Sequence, residues 1–240
     1  MAGVGFELKR LFRARTAAGH IKAYSYSAIV TTGPFVLLTG MVLAIQMLFQ
    51  VYDAGLDESA VFLGAVVYSF VFSQLLSCGF TIVLTRYLAD CLTVQHYRDV
   101  TPSMFGMSAL LLVLGSIASL LFFWGKPLAV ELKVLSHLFF SLLLMVWVGS
   151  VYLTAVKKFK YLILGYLSGV LISFGLAALF LHTAWLPPAA GALFAMDVGM
   201  GVLVLFFFLY VTSCFGLPRD GMICAVLRPG GRRPHHPARQ

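Results

Sequence analysis

Charge is scarce in this chain. Only 11% of its 240 residues are Asp, Glu, Lys or Arg, against about 25% in soluble proteins. Acidic residues are the rarest of these, 9 against 17 Lys and Arg. So little polar side chain cannot cover a water-soluble core of this size. Cysteine is sparse too. Cys78 and Cys214 fall inside or near apolar blocks, while Cys91 and Cys224 fall in segments read as cytoplasmic, which argues against a disulfide framework. Also missing are a GxSxG elbow, a P-loop, an HExxH helix and a paired-carboxylate constellation, so no enzyme is expected and no ATPase is built in. Transport would then draw on a gradient, on synthesis of the substrate, or on another subunit. His235 and His236 lack convergent ligands, so neither a metal nor any other cofactor is expected.

What is abundant is apolar surface. The hydrophobic class reaches 60%, with 21 Phe and 10 Tyr, and the mean hydropathy is +0.94. Six stretches approach or exceed the roughly 20 residues that cross about 30 Å of hydrocarbon at 1.5 Å per residue. They run Tyr24–Phe49, Ala60–Thr85, Met104–Trp124, Leu132–Val156, Tyr161–Leu181 and Pro188–Val211. The expected fold is an all-α polytopic membrane protein of six transmembrane helices. Around the membrane domain (23–211) lie a basic N-terminal segment (1–22), a short post-membrane segment (212–227) and a tail (228–240). Gly33–Pro34 interrupts the first span, where a local bend is expected because a bundle can satisfy the freed backbone groups.

The net charge of +8 is topogenic on this reading. Basic residues cluster between apolar blocks, and no recognition helix, aromatic ribbon or zinc-ligand set accompanies them, so no nucleic-acid partner is expected. With the N-terminus inside, 15 of the 17 Lys and Arg fall on the cytoplasmic side; only Lys126 and Lys133 fall outside. Both termini are therefore expected in the cytoplasm of a bacterial inner-membrane protein. The opening segment interleaves Lys9, Arg10, Arg13 and Arg15 with Phe6, Leu8, Leu11 and Phe12. That pattern suits an interfacial helix or a topogenic tail rather than a signal peptide.

Several residues break the apolar rule. Gly165, Gly169 and Ser173 form a small-residue face for close helix packing, and Gly106, Gly115, Ser116 and Ser119 allow similar approach. Ser69, Ser73, Gln74 and Ser77 offer polar groups that should avoid lipid, either by bonding between helices or by lining a substrate wall. Asp197 is the sharpest exception. An aspartate at mid-span costs about 2.5–3.5 kcal/mol on insertion scales, so it should face protein or an aqueous cavity. Structural pairing, snorkelling and contact with substrate or a proton are all open to it. His137 reads as a core histidine with a hydrogen-bonded partner. Arg86, with Asp90 one turn on, could anchor a headgroup, organise a cytoplasmic gate or attract an anionic carrier.

Met1–Phe12 reads MAGVGFELKRLF, followed by Tyr24, Tyr26 and Thr32–Gly33–Pro34–Phe35. Together with Thr85–Arg86–Tyr87–Leu88–Ala89–Asp90 and Tyr152–Leu153–Thr154–Ala155–Val156–Lys157, these blocks resemble PelG, the inner-membrane transporter family of bacterial Pel exopolysaccharide systems. The resemblance implies a flippase-superfamily fold and export of polysaccharide across the cytoplasmic membrane. It also implies partnership with the Pel glycosyltransferase and the other inner-membrane Pel proteins. That family has about twelve spans in two lobes that move around a shared path, and this chain resembles the N-terminal half. A second lobe, a homodimer, a shortened transporter or a nonfunctional fragment would each account for the difference. The tail, RPGGRRPHHPARQ, has no apolar stripe and reads either as a regulatory cytoplasmic tail or as an ending appended by truncation or frameshift. Two other functions fit the same residues: proton- or cation-coupled export of a small solute through Asp197, and a non-transporting membrane assembly subunit for polysaccharide synthesis.

Overall fold

A computed structural model describes residues 17–94, 99–155 and 159–215. Among them are six helices: α1 (Ala17–Val51), α2 (Leu56–Thr93), α3 (Val100–Trp124), α4 (Val130–Ala155), α5 (Phe159–Thr183) and α6 (Pro188–Phe215). Each contains a stretch long and apolar enough to cross a membrane. The fold is an all-helical, six-span membrane bundle.

The helices overrun the expected spans. α2 begins at Leu56 and ends at Thr93, because a helix keeps making backbone bonds past the hydrocarbon edge. α1 already begins at Ala17, so the end of the basic N-terminal segment is helical and continuous with the first span. Residues 212–215 likewise belong to α6. Pro34 sits inside α1 and the helix passes through it; only the one backbone bond that proline cannot donate is lost. The rest of the expected interfacial segment, the remainder of the post-membrane segment, Cys224 and the basic tail lie outside the described residues.

Short turns join α1 to α2, α3 to α4 and α5 to α6. Between α1 and α2 the backbone turns left-handed at Asp53 (φ 48°) and Gly55 (φ 87°), and glycine takes the second position without a Cβ penalty. α6 opens on Pro188, a residue pre-set for a first helical turn.

α6 packs most closely on α5 and next on α4; α4 also holds α2 and α3, while α1 lies mainly along α5. The core is built from single stripes. On α1, Leu38, Met41, Ile45 and Phe49 are buried at helical spacing, whereas Leu43, Met47 and Val51 on the same helix are exposed. Apolar residues thus face both ways. That is the pattern of a helix between protein and lipid rather than between protein and water. α1 meets α2 near their shared turn, where Phe49 and Phe62 lie 5.4 Å apart and Ser59 Oγ donates to Gln46 Oε1.

Candidate functional site

Polar side chains inside this bundle cluster on the seams of α4. Ser69, Ser73 and Ser77 recur every fourth residue of α2 and are all buried. Ser73 Oγ donates to the Phe70 carbonyl at 3.0 Å and accepts from Trp147 Nε1 of α4 at 3.2 Å. The Phe70 ring stands edge-on to Trp147 and to Phe139, closing the seam around that bond. Ser77 Oγ turns back to the Gln74 carbonyl, and Ser69 Oγ has no hydrogen-bond partner among the described residues. Gln74 is one residue from Ser73 yet faces outward, exposed on the bundle's exterior. The four residues are therefore not one wall: the three serines face protein and the carboxamide does not.

Three more hydroxyl bonds tie α4 to its neighbours. Ser103 meets Tyr152 Oη at 2.8 Å, Ser150 meets Tyr166 Oη at 2.8 Å, and Ser119 Oγ lies 2.5 Å from His137 Nδ1. Trp147, Tyr152, Ser150 and Tyr166 escaped notice in the sequence because aromatic and hydroxyl residues are common in spans. Nothing in their spacing says which pairs meet.

The α5–α6 seam is made by missing side chains. A Cβ on Gly165 would lie 2.6 Å from the Phe207 ring, and one on Gly169 only 2.9 Å from the Gly199 carbonyl oxygen. Ser173 lies against Gly199, and its buried hydroxyl has no hydrogen-bond partner among the described residues. Gly199 completes this close approach from the α6 side, and no spacing pattern within α6 marks it out.

Asp197 lies two residues from Gly199, a step of about 200° around the helix. It shares a stripe of α6 with Val204 and Phe208, seven and eleven residues on. Those two pack against Phe140, Leu144 and Met145 of α4, and Phe208 also meets Phe105 of α3. Asp197 is 3% exposed, and neither carboxylate oxygen has a hydrogen-bond partner among the described residues. Structural pairing, one of the roles open to it in the sequence, is thus not realised there. Snorkelling is not realised either, since the side chain is enclosed.

The remaining candidates are scattered. Gly33 and Pro34 are half-buried along α1. Arg86 and Asp90 are both exposed near the far end of α2. Clefts of about 590, 500 and 470 Å³ are lined by residues other than Asp197, Ser73, Gln74, Ser77, Gly33, Pro34 and Arg86. Among the described residues no three His, Cys, Asp or Glu side chains gather as metal ligands would.

A polar-seamed bundle of this kind is shared by many membrane proteins, so family membership must come from the chain as a whole. Residues 1–236 match the family described as "PelG: Putative exopolysaccharide Exporter (EPS-E)". The chain belongs to the PelG family. No curated protein matches it, and no solved structure does. As a PelG-family protein it is a component of exopolysaccharide export and not an enzyme. Its six apolar helices make it a multi-pass inner-membrane protein in contact with lipid. The match spans the resembling blocks at the N-terminus, at Thr85–Asp90 and at Tyr152–Lys157, and runs on into the basic C-terminal segment.

Proposed function

We propose that this PelG-family chain forms one six-helix lobe of the route by which sugar segments leave the cytoplasm, and that Asp197 is the group in it that responds to charge. The observation that carries this reading is the carboxylate itself. A buried polar group without a partner costs about 1–3 kcal/mol, more when charged, and an ionisable residue inside a membrane is by default functional. Asp197 contributes no bond to the described bundle. In this conformation Asp197 is enclosed within the bundle, so contact with substrate or a cation requires helices to part, as lobes do in alternating access. Gly33–Pro34 gives α1 a point where a backbone bond is missing and the helix can flex, Arg86 guards the cytoplasmic end of α2, and the Gly165–Gly169–Ser173 face holds α5 to α6 as the others move.

The second half of the route is a second lobe or a second copy of this chain. Gln74 supports this, because a carboxamide at mid-span has no partner in lipid and is exposed on an otherwise apolar exterior. A facing protein surface would satisfy it. Ser73 and Ser77 then back the wall that Gln74 presents. The partners on the cytoplasmic side are the Pel glycosyltransferase and the inner-membrane Pel proteins, met by both termini and the basic loops. The orientation rests on 15 of 17 basic residues lying on that side.

Complementation tests the function. In cells lacking the family transporter, the wild-type chain should restore secreted polysaccharide. Asp197→Asn should insert to equal abundance and fail to restore it. Normal export by Asp197→Asn would refute the role of the charge, and stable insertion of the wild type without rescue would refute the lobe. For orientation, the four native cysteines are replaced by serine. A cysteine placed at Asp57 should then label from the periplasm, and one at Lys158 only after the membrane is opened.

A further inference from the structure

The largest of the three clefts, about 590 Å³, lies between α2 and α3 with α4 as its floor. Its walls are Tyr68, Phe72, Phe122 and Phe123, with Phe140 and Ser119 at the base. The volume is within the roughly 300–1,000 Å³ of sites that hold small molecules. The mouth opens on the bundle's exterior, where Leu75 and Leu121 are 62% and 78% exposed, at a depth set by the last two turns of α3. Hydrocarbon therefore has direct access to it.

The lining selects an apolar occupant. Its hydroxyls are those of Tyr68, at the exposed rim, and Ser119, already engaged by His137. A sugar placed here would bury hydroxyls without partners, at about 1–3 kcal/mol each. An alkyl chain would lose nothing and gain contact with four phenylalanine rings.

Charge lies at one end of the cleft. Lys126 Nζ sits 5.3 Å from the centre of the Phe122 ring, and Lys133 Nζ donates to the Trp124 carbonyl at 3.3 Å. Both ammonium groups thus gather on the last turn of α3, where Trp124 is exposed as an interfacial tryptophan would be. They are the two basic residues placed outside by the charge count. Glu131, the acidic residue between them in sequence, lines a different cleft on the α6 side of α4.

We propose that this cleft is a binding site for an anionic phospholipid, with one acyl chain between α2 and α3 and the phosphate at Lys126 and Lys133. Its leaflet, the periplasmic one, rests on the orientation proposed above; the site itself does not. The lysine stems lie along the apolar wall and carry their charges to headgroup level. A cation near an anionic headgroup strengthens binding about fivefold, so the pair should favour a net-anionic phospholipid by up to roughly 30-fold over a zwitterionic one, whose phosphate charge is offset by its own ammonium group.

The test titrates the purified full chain, in a mild non-ionic detergent, with phosphatidylglycerol or phosphatidylcholine and counts bound lipid by native mass spectrometry. The wild type should hold one phosphatidylglycerol in preference to phosphatidylcholine. Lys126→Gln with Lys133→Gln should erase the preference, and Lys126→Arg with Lys133→Arg should keep it. Leu75→Trp, which fills the mouth, should weaken both lipids. Equal retention of the two lipids by the wild type overturns the proposal, as does an unchanged preference in the double glutamine variant. If that variant does not fold, the wild type at rising salt decides: a preference that shrinks supports the phosphate contact, and a salt-insensitive one overturns it. No transport is measured, so this outcome is separate from that of complementation.

Discussion

Replacing Gly199 by alanine puts the α5–α6 seam to a quantitative test. The new Cβ would run into Ser173 Oγ and lie 2.5 Å from the Gly169 carbonyl oxygen. The first obstacle can rotate away, but the second is backbone and cannot. The two helices must therefore move apart, and a gap of about 0.5–1 Å forfeits a quarter to a half of each dispersion contact it opens. Overpacking of this sort costs about 1–3 kcal/mol, and the better helix propensity of alanine returns about 0.8–1.0 kcal/mol. The net expectation for Gly199→Ala is a loss of up to roughly 2 kcal/mol. Gly201, two residues on in the same helix, has open space where a Cβ would stand, with nothing within 4 Å. Gly201→Ala should keep the propensity gain alone, up to about 1 kcal/mol. Reversible unfolding in mixed detergent and dodecyl sulfate micelles measures both. The two alanine variants should differ by roughly 1–3 kcal/mol, with Gly199→Ala the less stable. If Gly199→Ala proves as stable as Gly201→Ala, the close crossing is not there and the reasoning fails.

Two further outcomes follow from the seams. Ser73→Ala strands the Trp147 indole N–H and should cost about 1–3 kcal/mol in the same assay; adding Trp147→Phe should recover much of that loss, and a strictly additive pair would argue against the bond. Glu58 Oε2 accepts the Ala189 N–H at 3.0 Å and so caps the first turn of α6. Glu58→Ala should cost about 0.5–2 kcal/mol and speed amide exchange at residues 189–191; unchanged exchange there would show that the cap contributes nothing.

The number and order of the spans were legible in the sequence, because hydropathy over twenty residues reports on the solvent each segment meets. Which face of each helix turns inward was not. In a chain buried partly against protein and partly in lipid, both faces are apolar, and the periodicity that marks an inward face in water fades. Ser73 and Gln74 show the consequence: adjacent polar residues read as one set, yet a 100° step on the helix sends one to Trp147 and the other outward. Asp197 could be singled out by residue type alone, but the absence of a partner depends on what the neighbouring helices bring to it. Gly169 was visible as a small residue, whereas Gly199 needed its counterpart to be known. Glu58 drew no notice in the sequence as a cap, since its bond to α6 joins residues 131 apart in the chain.

That long reach bears on how the protein is made. The helix that packs on α5 and α4 and takes its cap from α2 is the last of the described helices to leave the ribosome. Until it is inserted, Glu58 has no amide to accept, the glycines of α5 face lipid, and one flank of α4 stays open. Earlier spans can enter the bilayer one after another, and α4 can already gather α2 and α3 while α5 takes up α1, but little joins those two groups. A nascent chain stalled before Pro188 would be two loosely joined groups of helices, well suited to recognition by membrane proteases.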